Sequence, residues 1–201
     1  MKGSAISTAE RNMFLGTYIV KDLEPLSTVE SETFRDMQRG LHQNPDLSFP
    51  CRKTKNAWIT DKAVEVKALI KEKVRGQPIA LTGDGWDSTN GSGAFYALTA
   101  HMMDPDTNNL MAYTLAYRKL ADRHTGRNIS KLNLEFLSEY DINPMDVTVF
   151  TSDTAANQKL AVKLMGVEWL ACSCHVFELS SKVVLKQQGV AKVKPSSFDY
   201  Q

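Results

Sequence analysis

Ile79-Ala80-Leu81-Thr82-Gly83-Asp84-Gly85-Trp86-Asp87-Ser88 begins as an apolar run and turns acidic and glycine-rich halfway along. A carboxylate inside a run that otherwise reads as a buried strand is costly unless it is paired, hydrogen-bonded or holding a metal. Asp84 is therefore the first residue to explain. Pro78 to Ser88 reads as a strand, Asn90-Gly91-Ser92-Gly93 as a turn, and Ala94 to Met103 as a second strand. Asp104-Pro105-Asp106 and Asn108-Asn109 mark the next turn. Leu110 to Leu120 reads as a third strand, with Met111, Tyr113, Leu115 and Tyr117 on one face and Thr114 and Arg118 on the other. Strands joined by short turns form an antiparallel meander.

Beyond it, the pattern alternates. His124-Thr125-Gly126 opens a helix to about Tyr140, with Ile129, Leu132, Phe136, Leu137 and Tyr140 on its apolar face. Val147 to Thr151 is a short continuous strand, as expected of one buried on both faces. Asp153 or Ser152 can cap a helix from Thr154 to Met165, which Gly166 ends. Val167 to Ser173 reads as a last strand and Val176 to Lys186 as a last helix. The sum is an α/β fold: a mixed sheet of three antiparallel strands followed by alternating strands and helices, with helices on both faces.

Upstream lies a helical arm. Residues 1–16 carry weak helical signals, and Ile19 to Val29, with Pro25, reads as an extended connector. Glu30 to Leu41 has Phe34, Met37 and Leu41 on one face. Lys53 to Val74 is the best helix of the arm, with Ile59, Ala63, Val66, Ile70 and Val74 as one apolar stripe. Lys55, Lys62, Lys67, Lys71 and Lys73 occupy the other face. From Arg35 to Arg75 basic residues outnumber acidic ones about two to one. That surface suits nucleic-acid phosphate, and equally a solvated amphipathic face; no aromatics interleave to suggest base stacking. Gly76-Gln77-Pro78 breaks the helix. The divisions are a 1–17 tail, an 18–76 arm, a 77–188 core and a 189–201 tail.

Bulk properties narrow little. The chain has 201 residues and a net charge of +1, so charge names no partner. No apolar run is long enough to span a bilayer, so no membrane partner is expected. The N-terminus lacks the apolar segment of a signal peptide. Three cysteines, Cys51, Cys172 and Cys174, make no disulfide framework and point to cytosol or nucleus.

Asp84 in the first strand and Asp153 at the end of the fourth can meet where sheet order switches. Two acids on neighbouring strands can hold magnesium or manganese, and two such ions can clamp an in-line attack on a phosphodiester. Trp86 follows Asp84 by two, shares its face, and is expected to be a buried wall of the site. Each acid also has a plainer reading, Asp153 as a helix cap and Asp84 as a turn acid between glycines. Cys172-Ser173-Cys174-His175 has thiol and imidazole at short spacing but no second half of a zinc site, so core packing is the expectation there.

Several stretches together resemble hAT-type DNA transposases, the group that includes domesticated BED-zinc-finger proteins. Ile19 to Glu30 looks like that family's segment after the finger, and Pro50-Cys51-Arg52-Lys53-Thr54 like the helix start that follows. Thr82 to Ser88 is similar to its T-x-D-x-W-x-S strand, Ala100-His101 to its second strand, and His124 to Ile129 to its H-T-G-x-N-I turn. Thr151 to Asn157 looks like its T-D-x-A-x-N site, and Cys172 to His175 like its C-x-x-H motif. Any one motif is weak; six in order are specific. The match covers roughly Tyr18 to Lys186.

The resemblance implies an RNase H-like core, a nuclear location, and an Asp-Asp-Glu metal site for cutting and joining DNA. Asp84 and Asp153 would be its aspartates, with magnesium or manganese as cofactor. Cys172 and His175 would lie near the active site and DNA; Arg52, Lys53, Lys55 and Lys62 are further DNA-contact candidates. The family's finger, helical insertion, third acid and C-terminal dimerisation segment have no counterpart in these residues. The expectation is an incomplete core, weak grounds for self-association, Glu178 as the only substitute third acid, and no strand transfer by this chain alone. Two alternatives stand beside it: a metal-dependent nuclease, and a non-catalytic protein-interaction module.

Overall fold

The computed structural model describes residues 7–88, 91, 93–120 and 123–187. The 189–201 tail and part of the Asn90–Gly93 turn lie outside them. The chain divides into two units, Met1–Leu69 and Ile70–Gln201, each described by itself.

In the first unit, α1 (Thr8–Lys21) starts at a capping box: Ser7 accepts from the Glu10 amide, and the Glu10 carboxylate accepts from the Ser7 amide at 2.9 Å. The helix runs into the stretch that reads as extended, and buries Ile19. Leu23 then takes a left-handed φ of 55°, and Leu26–Glu30 forms a 3-10 turn behind Pro25. The connector is thus helix and turn. Pro25 fits because it stands before the first turn, where no amide is needed. α2 (Glu32–Leu41) is capped by Ser31. α3 (Arg52–Val74) follows the expected range, but its stripe is not buried as a stripe: Val66 is exposed and so is Ala63, while Val74 is buried.

The second unit is a mixed α/β structure. β1 (Ile79–Asp87), β2 (Ala94–Met103), β3 (Leu110–Lys119), β4 (Val147–Ser152) and β5 (Trp169–Ala171) form one sheet in the order β3-β2-β1-β4-β5. β1–β2 and β2–β3 are antiparallel; β1–β4 and β4–β5 are parallel. The meander followed by parallel strands is the expected topology. α4 (Gly126–Glu139) and α5 (Ala156–Met165) pack together, and Phe136, Leu137 and Val162 join Leu81, Tyr96, Leu98 and Phe150 in one core. Gly166 closes α5 in the left-handed region at φ 73°.

Three expectations fail here. Helices were expected on both faces, but α6 (Ser173–Gln187) is exposed along its described length, including Phe177 and Val183. The sheet face opposite α4 and α5 carries Thr82, Asp84, Ala97 and Thr99, which offer little apolar area for a helix to cover. Second, the four apolar residues of β3 do not share a face. The β2–β3 register shifts between Leu98 and Thr99, so that Leu98 pairs with Ala116 and Thr99 with Thr114, leaving Leu115 as the extra residue. A bulge of this kind reverses the alternation beyond it. Leu115 is buried, Arg118 turns inward over the Phe136 ring at 4.7 Å, and Tyr117 turns outward. Third, Trp86 is not buried: it shares the face of Asp84 as expected but is 39% exposed. Its ring lies 6.1 Å from Phe95 and 5.5 Å from Tyr117, so aromatic neighbours hold it on the open face.

Candidate functional site

β1 is the strand at which the antiparallel half of the sheet meets the parallel half. Its pairing with β4 sets Leu81 beside Phe150 and Thr82 beside Thr151. Asp84 and Asp153 each stand two residues beyond that last pair, so both acids leave the sheet at one end. They line one cavity of about 200 Å³ together with Thr82, Thr151, Cys172 and His175. Residues more than sixty positions apart in sequence meet because a parallel neighbour brings equivalent strand ends together.

Each carboxylate is partly engaged by its own backbone. The Gly85 amide donates to Asp84 Oδ1 at 2.9 Å, and the Ala155 amide donates to Asp153 Oδ1 at 3.1 Å. Asp153 therefore makes a local turn and does not cap α5, whose N-cap is Ala155 with no side-chain bond. The second oxygen of each acid has no partner among the described residues. Thr82 Oγ1 bonds His101 Nε2 at 3.0 Å across β1 and β2. Trp169 Nε1 donates to Ser152 Oγ at 3.0 Å, and the Cys172 amide donates to the Ser152 carbonyl at 2.8 Å. These bonds tie the end of β4 to the start of α6, and so place Asp153 relative to Cys172 and His175.

Hard oxygen donors on adjacent strand ends suit magnesium or manganese, and the free carboxylate oxygens supply them. Among the described residues, however, no three His, Cys, Asp or Glu side chains gather tightly enough to hold an ion by themselves. Glu178 does not complete the set. It stands on exposed α6, does not line the cavity, and pairs with Lys182, whose ammonium holds its carboxyl below the ordinary range.

The candidate DNA contacts divide differently. Arg52 pairs with Glu30 at 2.6 Å and Lys62 with Glu65 at 2.6 Å. Lys53 is exposed and unpaired among the described residues. Lys55 is a correction: only 1% of it is exposed, its ammonium donates to the Asn12 carbonyl at 2.5 Å, and it lies over the Trp58 ring. Burial pushes its pKa down. Helix periodicity placed it on the solvent face, but α1 covers that turn of α3. A larger groove of about 290 Å³ in the first unit is lined by Phe14, Tyr18, Phe34, Met37 and Phe49 and holds no acid.

No family model matches the chain. A Talaromyces stipitatus protein described as "Putative transcriptional regulator tpeD" is 27% identical over 191 residues. The alignment covers 88% of this chain but 22% of that protein, so the chain spans about a fifth of the length of this relative. Among solved structures, a chain of the simian T-cell lymphotropic virus intasome in complex with PP2A regulatory subunit B56 gamma aligns over 60% of this chain and 44% of its own, at 11% identity and a TM-score of 0.27. A likeness at that TM-score carries no argument.

One residue escaped the reading of the sequence. Tyr96 was only an aromatic in a strand, yet its ring runs beneath Asp84 on the covered side of the sheet. The signal was the glycine on each side of Asp84. Gly85 pairs with Tyr96 across the strands, and a pair of small residues over a large aromatic means a close approach of backbone to ring.

Proposed function

We propose that this chain is a transposase-derived, DNA-associated domain of hAT type, with an RNase H-like arrangement of its sheet, that does not transfer DNA strands through these residues alone. The observation that carries the reading is the shared cavity: Asp84 and Asp153 arrive from parallel neighbouring strands beside Cys172 and His175. Those are the residues that the resemblance to the family's motifs singles out. Asp84 and Asp153 would hold a magnesium or manganese ion through their unpartnered oxygens. Such an ion supplies Lewis-acid polarisation of a phosphate oxygen. The chain's own part is to orient the phosphate: the Thr82 and Thr151 hydroxyls and the His175 imidazole line the same cavity.

Strand transfer needs further ligands fixed on rigid elements. Glu178, tied to Lys182, is not so placed. Nuclear location follows from the same reading, and the name of the Talaromyces relative, a transcriptional regulator, agrees with DNA-associated work.

The test uses purified protein with magnesium or manganese and supercoiled plasmid, beside labelled duplex DNA at rising salt. The expected result is salt-sensitive binding and no nicking. Nicking by the parent but not by Asp153→Ala would replace this reading with that of a nuclease. Absence of DNA binding at low salt would leave the interaction module.

A further inference from the structure

Four side-chain atoms in the second unit are wholly buried and unpartnered: Tyr96 Oη, Asn133 Oδ1 and Nδ2, and Gln158 Oε1. Tyr96 and Asn133 are 0% exposed and Gln158 is 4% exposed. Buried polar atoms are nearly always hydrogen-bonded, so such a group calls for an account. The residues come from β2, α4 and α5, and they meet beneath one short segment, Gly83-Asp84-Gly85. A Cβ at Gly83 would stand 2.4 Å from Tyr96 Oη and 2.6 Å from the Phe150 ring. One at Gly85 would stand 3.3 Å from Tyr96 Cδ2 and 3.9 Å from Gln158 Nε2. The tyrosine ring therefore lies lengthwise under the Asp84 backbone, its hydroxyl below Gly83 and its proximal edge below Gly85.

The same hydroxyl faces Asn133 without closing a bond of good geometry, and it feels the charges of both Asp84 and Asp153. Burial first, then those charges, keeps it neutral at any physiological pH. A neutral hydroxyl that both carboxylates sense, on a ring that props one of them, is placed to fix where the acid pair stands. A tyrosine needed only to fill space would serve as well as phenylalanine, and would not bring three more unpaired polar atoms into the core.

We propose that Tyr96, held at its hydroxyl by Asn133, is a positioning residue for the acid pair, fixing the Gly83-Asp84-Gly85 backbone so that Asp84 is presented to the cavity beside Asp153. The hydroxyl and the Asn133 amide have complementary donors and acceptors, and a small turn of either closes the bond. This rests on the reading of the pair as a metal site for one of its two readouts only.

The first readout is manganese affinity of the full chain, by electron paramagnetic resonance, for the parent, Tyr96→Phe, Asn133→Leu, the double variant and Asp84→Asn. Partners behind metal ligands typically carry 10–100-fold of affinity. Tyr96→Phe and Asn133→Leu are each expected to lose about tenfold, and the double variant no more than either, because both break one contact. The second readout needs no metal. It is hydrogen exchange of the Gly85 amide, which donates to Asp84, against the Leu98 and Ala100 amides as internal references. Tyr96→Phe should speed Gly85 exchange about tenfold and leave the references unchanged, since the opening is local. Parent-like Gly85 exchange in Tyr96→Phe overturns the proposal, as does parent-like manganese affinity. If the parent and Asp84→Asn bind no manganese alike, the metal reading fails, and exchange alone decides the positioning role.

Discussion

Gly83 and Gly85 decide what can stand at position 84. They bring the β1 backbone onto the Tyr96 ring, and only the outward residue between them is free to carry a functional group. Gly83→Ala should therefore destabilise the second unit by about 1–3 kcal/mol through overpacking against Tyr96 and Phe150. Urea unfolding would show this as a lower midpoint at unchanged slope, and a parent-like midpoint would mean that the ring has room to retreat. Trp86 leads to the opposite expectation. A fully buried Trp truncated to Ala costs about 3–5 kcal/mol, but this one is half-exposed and held mainly by the rings of Phe95 and Tyr117. Trp86→Ala should cost about 1–2 kcal/mol, the scale of aromatic pairing plus partial burial. A loss above 4 kcal/mol in the same unfolding measurement would contradict the open face. Both residues show what was legible. Strand alternation correctly put Trp86 on the side of Asp84, but burial depends on what covers a face, and that is a long-range fact a strand does not carry in its own letters.

Elements were legible where the signal is local. β2 reads from sequence over the same residues that the structure assigns it, because turn chemistry brackets an apolar run on both sides. α1 was missed although its signal is local too: Ser7 and Glu10 form an S-x-x-E capping box in a stretch of otherwise weak periodicity. Ser7→Ala should cost the first unit about 1 kcal/mol and reduce far-ultraviolet helical signal on mild heating; an unchanged melting curve would show that docking alone holds the helix. The β3 bulge was not legible at all, since the extra residue at Leu115 is defined only by its pairing with β2. The β2–β3 turn yields a pH expectation. The Thr107 and Asp106 amides donate to Asp104 Oδ1 and hold its carboxyl below the ordinary range. A depressed folded pKa means stability that is present above the unfolded value and is lost as pH falls through the folded one. Asp104→Asn should then flatten the acid limb of a stability–pH series in the carboxylate range; an unchanged limb would show that the turn does not report on folding.

At the scale of the whole molecule the question is how strongly a chain of net charge +1 can hold DNA. Affinity for phosphate comes from cations free to release counterions, and each contact contributes about −0.9 to the slope of log K against log salt. Of the four basic residues singled out on α3, Lys55 is buried against Asn12, and Arg52 and Lys62 are already paired with acids. Exposed ion pairs are worth little and can exchange partners, so Arg52 and Lys62 can still turn to phosphate, whereas Lys55 cannot without opening its packing. A slope of about −2 to −3 is therefore expected, shallow for a DNA-binding protein. Lys53→Ala should remove about one unit of it. Lys55→Met, which keeps the apolar stem, should leave the slope alone and act only on the stability of the first unit. Fluorescence anisotropy on random-sequence duplex DNA across a salt series reads all three slopes. A parent slope steeper than about −6 would require a basic surface beyond α3. A loss of slope in Lys55→Met with the melting temperature unchanged would show that this buried lysine reaches DNA after all, and that the cover of α1 opens in the complex.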